Sequence, residues 1–475
     1  MLVDPLRPAA INNKRSAQSI DDAQLIAPAL KKRFLDEENG GISAEKTTDD
    51  LNRKFIGFAT TAIHAGNRPE RWDMNQVVPP ISLSTTYKQS KPGEPKGHDY
   101  SRAGNPTRDL INQQNKKTLR DGQPFRYISG EMHYFRIHPS LWQDRLWRYR
   151  AAGLNAVQLY IPWNFHEPTP AKFNFADDRN VSKFIRMAQK NELNVLIRLG
   201  PYICAEFEFG GLPWWLIKYQ ADIVLRSSNQ LYLHFLRRWY DALLPMLKPL
   251  LYKNGGPILM LQIENEYGSV ACDHKYMRWL RDLTREKLGD DVVLYTTDGP
   301  SDGMLRCGPI EHTLTTVDFG VPSSNIERNI EAYFALQQKY SAGGGGGPRV
   351  NSEFYTVWFS MWGDKSMVHQ QTGPVIESMD VMWRMNASFS ILMFHGGTSF
   401  GFWSGKETSG PVGWRISNLK IDKKSQKIVT SYDFGAPIGE EGAITPLYQA
   451  IRDWIGRRPA AEWPSRPMAL PANRT

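Results

Sequence analysis

The chain reads as an α/β protein built on a (β/α)₈ barrel. Between residues 124 and 400, short apolar runs alternate with amphipathic helical stretches, the order that gives a parallel sheet covered by helices. Eight such units fall within about 280 residues, the span of one such barrel.

The strand candidates are 125–134, 156–163, 194–202, 258–267, 292–299, 315–320, 349–356 and 391–400, each apolar with few charges. Helical periodicity fills the intervals: SLWQDRLWRYRAAG, VSKFIRMAQKNE, a long stretch over 229–252, DHKYMRWLRDLTREKLG, IERNIEAYFALQQKYS and ESMDVMWRMNAS. Only the fifth connection, 300–314, lacks a clear helix. Glycines 343–347 precede the seventh strand without a following Gly-Lys-Ser/Thr, so they read as a loop and not a phosphate cradle.

Outside the barrel the pattern changes. Residues 1–54 are polar and weakly periodic and are expected to be disordered. Residues 55–109 are rich in Pro, Gly, Ser and Thr and read as irregular structure, within an arm over 55–120 that does not fold alone. The barrel is assigned to 121–456, with 457–475 a short tail and no C-terminal β domains. The net charge of +9 does not indicate nucleic-acid binding, because residues 1–120 carry five of the excess positive charges and no basic stripe interleaved with aromatics runs through the barrel. Three cysteines are too few for a disulfide scaffold and wrongly spaced for zinc; the count leaves room for one bridge and one free thiol. No run reaches the roughly 18 apolar residues of a membrane span, and the N-terminus has no apolar signal-peptide core. No cofactor or metal is called for.

Barrel enzymes place their chemistry at the C-terminal ends of the strands. Strand two is followed by Asn164, His166 and Glu167, and strand three by Glu206. Strand four ends Gln262-Ile263-Glu264-Asn265-Glu266-Tyr267, and strand seven ends Asn351-Ser352-Glu353-Phe354-Tyr355. Glycosidic bond hydrolysis needs one protonated and one ionised carboxyl group flanking the bond. Asn265-Glu266 facing Glu353 across the mouth meets that need, and the Asn265 amide can donate to a sugar 2-hydroxyl. A retaining pair implies carboxyl groups about 5–5.5 Å apart. A single glutamate at a strand end is usually structural; two on opposite walls, one preceded by asparagine, shift the balance. Period two places Glu264 on the face of Glu266, one layer deeper, as a carboxylate that raises the acid's pKa.

With these residues the chain resembles family 35 glycoside hydrolases of the animal acid β-galactosidase type over 125–455. The stretches that carry the resemblance include GLNAVQLYIPWNFHEP, GPYICAEFEFGGLPWWL, NGGPILMLQIENEYGS, NSEFYTVW, FHGGTSFGFW and SYDFGAPIGEEG. It implies a retaining β-galactosidase acting on terminal β-D-galactose of oligosaccharide, glycolipid or glycoprotein glycans. Glu266 is then the proton donor and Glu353 the nucleophile. Tyr160, Ile203, Cys204, Ala205, Glu206, Asn265 and Tyr432 line the galactose subsite, Tyr355 supports the nucleophile and Trp358 forms a wall. The resemblance also implies a Cys272–Cys307 disulfide with Cys204 free, and a lysosomal, vacuolar or extracellular setting. In that setting Asn180 and Asn386 are glycosylation sequons, and a homo-oligomer is left open. Members of the family continue past the barrel into β-rich domains.

A second resemblance covers residues 55–109. FATTAIHAGNRPERWDMNQVVPPISLSTTYKQ and HDYSRAGNPTRD are similar to the start of cystathionine γ-lyase, a pyridoxal-phosphate enzyme. There Tyr100 and Arg102 would reach a neighbouring subunit's cofactor phosphate, but the domain bearing the Schiff-base lysine has no counterpart in this chain. The segment is read as a fusion or an artefact of gene prediction. Two further functions are weighed: an inactive galactose-binding barrel, and a fragment of a pyridoxal-phosphate-dependent transsulfuration protein.

Overall fold

The computed structural model describes residues 119–470, except 122, 342–345, 365–371 and 407–426, together with a short stretch of β pairing between residues 86 and 95. The expected disordered segment 1–54 and most of the 55–120 arm, with Tyr100 and Arg102, lie outside the described residues.

Eight parallel strands close into a barrel: β1 (Ile128–Met132), β2 (Ala156–Tyr160), β3 (Asn194–Arg198), β4 (Ile258–Gln262), β5 (Leu294–Asp298), β6 (Leu314–Asp318), β7 (Val350–Tyr355) and β8 (Ser388–His395). Each pairs with the next, and β8 closes on β1 with Phe389 beside Ile128. All eight expected strands form. β8 begins earlier than its apolar run because Ser388 and Ser390 are buried within it.

Helices α1 (Trp142–Ala151), α2 (Val181–Lys190), α3 (Gln230–Leu247), α4 (His274–Leu288), α5 (Asp302–Cys307), α6 (Ile326–Tyr340), α7 (Thr372–Arg384) and α8 (Pro446–Gly456) follow the strands. Their starts are written in the sequence: Asn180, Asn229, Asp273 and Thr445 each accept a hydrogen bond from the backbone N–H three residues on. The connection without a clear helical pattern holds α5, a six-residue helix capped by Ser301 and ending at the disulfide of Cys307. Residues beyond α8 also pack down: Trp463 is buried and its indole donates to the Gly153 carbonyl at 2.9 Å.

The barrel interior is layered. Tyr127, Ala156, Leu196, Met260, Tyr295 and Val350 form an apolar floor. Above it the hydroxyls of Thr297, Thr316 and Ser352 meet within 2.8–3.1 Å, and Thr297 also reaches Gln262. The topmost layer is charged, and every charge there needs a partner, since an unpaired buried ion is very costly.

Candidate active site

Arg198, at the end of β3, organises that top layer. It is fully buried, and it donates to Glu131 at 3.2 Å, to Gln262 at 2.8 Å and to Asn265 Oδ1 at 2.6 Å. It also contacts Glu353 Oε1 directly. Burial opposes its charge, but Tyr160 and Glu131 more than restore it, so the guanidinium stays protonated. An ionised Glu353 is thereby compensated at 4% exposure.

The other Glu353 oxygen accepts from Tyr355, two residues on and on the same face of β7, at 2.8 Å. Tyr160 donates to Asn265 Oδ1 at 3.0 Å and lies 3.5 Å from Glu353. Because Arg198 and Tyr160 present donors, the Asn265 oxygen must face them. Its Nδ2 is turned outward and reaches Glu266 Oε2 at 3.3 Å.

β4 ends at Gln262, and the backbone then turns sharply: Glu264 and Glu266 both adopt left-handed conformations, with φ of 59° and 44°. This overturns the expectation that Glu264 continues the strand one layer below Glu266. Period two stops with the strand. Glu264 is instead buried against Arg226 at 2.7 Å and Tyr276 at 2.7 Å, and one of its oxygens accepts the Asn265 N–H at 3.0 Å. It braces the turn with its charge neutralised by Arg226. Glu266, half-buried, is the carboxyl that turn presents.

The opposite wall comes from β1, β3 and the loop after β8. Cys204, Ala205 and Glu206 follow β3 in consecutive left-handed conformations. The carbonyls of Ala205 and Glu206 face Arg136, which donates to them at 2.6 and 3.4 Å and stacks 3.7 Å over the Tyr432 ring. Tyr432 hydrogen-bonds to the Glu206 carboxylate. His133 lies between Tyr160 and Tyr432, with ring centroids 5.5 and 5.8 Å away. Burial, and then the nearby Arg136 charge, lower its pKa to about 4, against the pull of Glu131. Ile203 is buried beneath this wall, Cys204 takes no part in a disulfide, and Trp358 stands 46% exposed beside Tyr355, 5.4 Å between rings.

The residues named for the acid, the nucleophile and the galactose subsite thus lie at this end of the barrel, whereas His166 and Glu167 after β2 are bonded elsewhere. His166 bonds to Tyr134 and to the Asn174 carbonyl, and Glu167 takes the Trp163 indole at 2.7 Å and Arg238. Sequence reasoning missed Glu131, His133, Arg136, Arg198, Asp298 and Asp318. A signal existed for most: a charge inside an apolar strand, as in NVLIRLG and ISGEM, has to be paired with another.

Residues 117–458 match the family described as Glycosyl hydrolases family 35. The chain belongs to glycosyl hydrolase family 35. Residues 59–132 also match a family described as Cys/Met metabolism PLP-dependent enzymes, and the two matches overlap at β1. The chain is 46% identical over 338 residues to a β-galactosidase of Mus musculus, covering 71% of this chain and 48% of that one. It is 45% identical to the Homo sapiens β-galactosidase over 338 residues, 71% and 46% of the two chains. With a mouse β-galactosidase-1-like protein it shares 44% over 349 residues, 73% and 50%. This family 35 chain therefore spans about half the length of the curated relatives it matches. Among solved structures, an exo-β-1,4-mannosidase from Opitutaceae bacterium strain TAV5 aligns at 14% identity and a TM-score of 0.48 over 71% of this chain and 61% of that one.

The Cys272–Cys307 disulfide implied by the family resemblance is present. It ties the segment after Glu266 to α5, and so links the turn that carries the acid candidate to the region above β5.

Proposed function

We propose that the chain is a retaining β-galactosidase that releases terminal, non-reducing β-D-galactose. One observation carries this reading: Glu353 is held as a compensated anion by Arg198 and Tyr355, while Asn265, fixed by the same arginine, reaches Glu266. Two carboxyl groups in such different surroundings suit opposite protonation states.

In the first step Glu353 attacks the anomeric carbon as Glu266 protonates the departing glycosidic oxygen, leaving a galactosyl ester on Glu353. Glu266, now ionised, takes a proton from a water that attacks the same carbon. That step frees Glu353 and restores the acid. Arg198 and Tyr355 balance the nucleophile's charge before and after, and the outward Asn265 amide suits the 2-hydroxyl. Tyr160, Glu206 and Tyr432, with the backbone of Ile203, Cys204 and Ala205, would hold the ring's hydroxyls. Trp358 would stack on what lies beyond the cleaved bond, in glycans of oligosaccharides, glycolipids or glycoproteins. The disulfide favours an oxidising compartment on the secretory or lysosomal route, where Asn180 and Asn386 would be open to glycosylation.

The test is hydrolysis of an aryl β-galactoside by the purified chain, with the anomer first formed read by proton NMR. Turnover giving β-galactose first is expected, with activity lost in Glu353→Gln and reduced about 10²–10⁴-fold in Glu266→Gln. Formation of α-galactose first, or near-native rates in Glu353→Gln, would overturn the proposal.

A further inference from the structure

Asp318 closes β6, paired in register with Glu353 on β7, and is 4% exposed. The groups that face it are Glu266 after β4, Asp298 at the end of β5, and Tyr355 on β7 with Glu353 beyond it. Its Oδ2 lies 3.0 Å from the Tyr355 hydroxyl, which is also 2.8 Å from Glu353 Oε2. Its Oδ1 is buried and meets no N–H or O–H donor among the described residues, and the carboxyl of Glu266 is a neighbour that interacts with Asp318.

Counting protons decides how these groups are arranged. A phenol has one proton to give, and two carboxyl groups flank this one. Tyr355 keeps that proton, since burial pushes its pKa well up. Glu353, paired with Arg198, is the anion of the two and accepts it. The Asp318 contact is then attractive only if Asp318 supplies a proton of its own.

We propose that Asp318 is a positioning residue held as the neutral acid. It donates from Oδ2 to Tyr355, and it offers Oδ1 as the acceptor on which the Glu266 proton rests. A directed chain follows, from Glu266 O–H to Asp318 Oδ1, from Asp318 O–H to Tyr355, and from Tyr355 O–H to the Glu353 anion. Burial raises the Asp318 pKa well above the usual carboxylate range, in agreement with this chain. Asp318 thereby aims the phenol at the nucleophile and the acid's proton into the site, and it adds no third negative charge to the mouth.

The inference rests on the hydrolase reading for its meaning, and its test separates the two. Hydrolysis by the unsubstituted chain tests the reading; comparison with Asp318→Asn tests the inference. An amide copies the neutral acid, with Nδ2 donating to Tyr355 and Oδ1 accepting from Glu266. Asp318→Asn is expected to keep kcat within about threefold and to leave both limbs of the kcat/KM pH profile in place, while Asp318→Leu loses tenfold or more. A larger loss in the Asn variant, a displaced limb, or a Leu variant that melts like the parent and stays active would overturn it.

Melting curves from about pH 4 to about pH 8 give a readout independent of activity. A carboxyl kept neutral in the folded chain and ionised in the unfolded one weakens the fold as pH rises above its ordinary value. The parent's Tm should therefore fall relative to that of Asp318→Asn across this range. Parallel curves, or an Asn variant that does not fold, would show that Asp318 is ionised.

Discussion

Arg226 grips Glu264 through two nitrogens, Nη2 at 2.7 Å and Nε at 3.1 Å, inside the turn that delivers Asn265 and Glu266. Arg226 also donates to the Asn265 carbonyl. Breaking a buried pair strands the remaining charge. Arg226→Met should therefore lower stability by about 3–5 kcal/mol in denaturant titrations and depress kcat/KM with it. Replacing both partners with apolar residues should cost less stability than the single change while leaving activity low. A single variant as stable as the parent would show that Glu264 has another source of compensation.

Cys272 and Cys307 close a loop of 35 residues' separation. On chain-entropy grounds the bridge contributes about 4 kcal/mol. Reduction should lower the melting temperature and raise susceptibility to proteolysis between α4 and α5, which calorimetry with and without reductant would measure. Because the loop adjoins the Glu266 turn, activity should decline at temperatures where the oxidised chain is unaffected.

Three buried histidines make the fold sensitive to acid. Burial lowers His133 and His395 to about 4 and His166 to about 3. Each stays neutral when folded but takes up a proton on unfolding below its ordinary value of about 6.5. Their contribution is intact above that pH and is lost as pH falls toward the folded-state values. Melting temperature should drop steadily from about pH 6.5 to about pH 4.5, with proton uptake on unfolding detectable by calorimetry in buffers of different ionisation heat. His395 donates to the Ile438 carbonyl and accepts from Arg145. His395→Gln should make the acidic slope shallower by one proton; an unchanged slope would exclude it as a contributor.

Gly396, just past β8, has no room for a side chain. A Cβ there would lie 1.6 Å from the Tyr432 carbonyl oxygen, and the atoms it meets are all backbone of Tyr432 and Asp433. Gly396→Ala should displace Tyr432 from Glu206. The expected signature is a KM for galactosides raised about tenfold or more, with a smaller change in kcat, read from steady-state kinetics.

The barrel was legible in the sequence because its strands are apolar and its helices carry their caps. The two catalytic candidates were legible because the C-terminal strand ends of a barrel are where chemistry is placed. Glu264 was misread since periodicity says nothing of where a strand stops, and here left-handed Glu264 and Glu266 come within four residues of Gln262. Asp318 went unremarked at the end of TTVDFG, although the rule that selected Glu353 applies to it equally. Arg198 and Glu131 were hidden inside runs taken as apolar, and their meaning appears only when distant strands bring them within 3.2 Å. α5 escaped because six residues are too few to show a period.

Five residues of the mouth, Cys204, Ala205, Glu206, Glu264 and Glu266, hold positive φ without being glycine. Each such residue costs of order 1 kcal/mol, met by the packing beneath it. The working shape of the mouth is thus borrowed from the barrel and has little preference of its own. On warming, this rim should relax before the strands part, so that heat silences the enzyme ahead of unfolding. Selection for heat resistance alone would drift toward glycine or asparagine at these positions, and each gain in endurance would be taken from the geometry that does the chemistry.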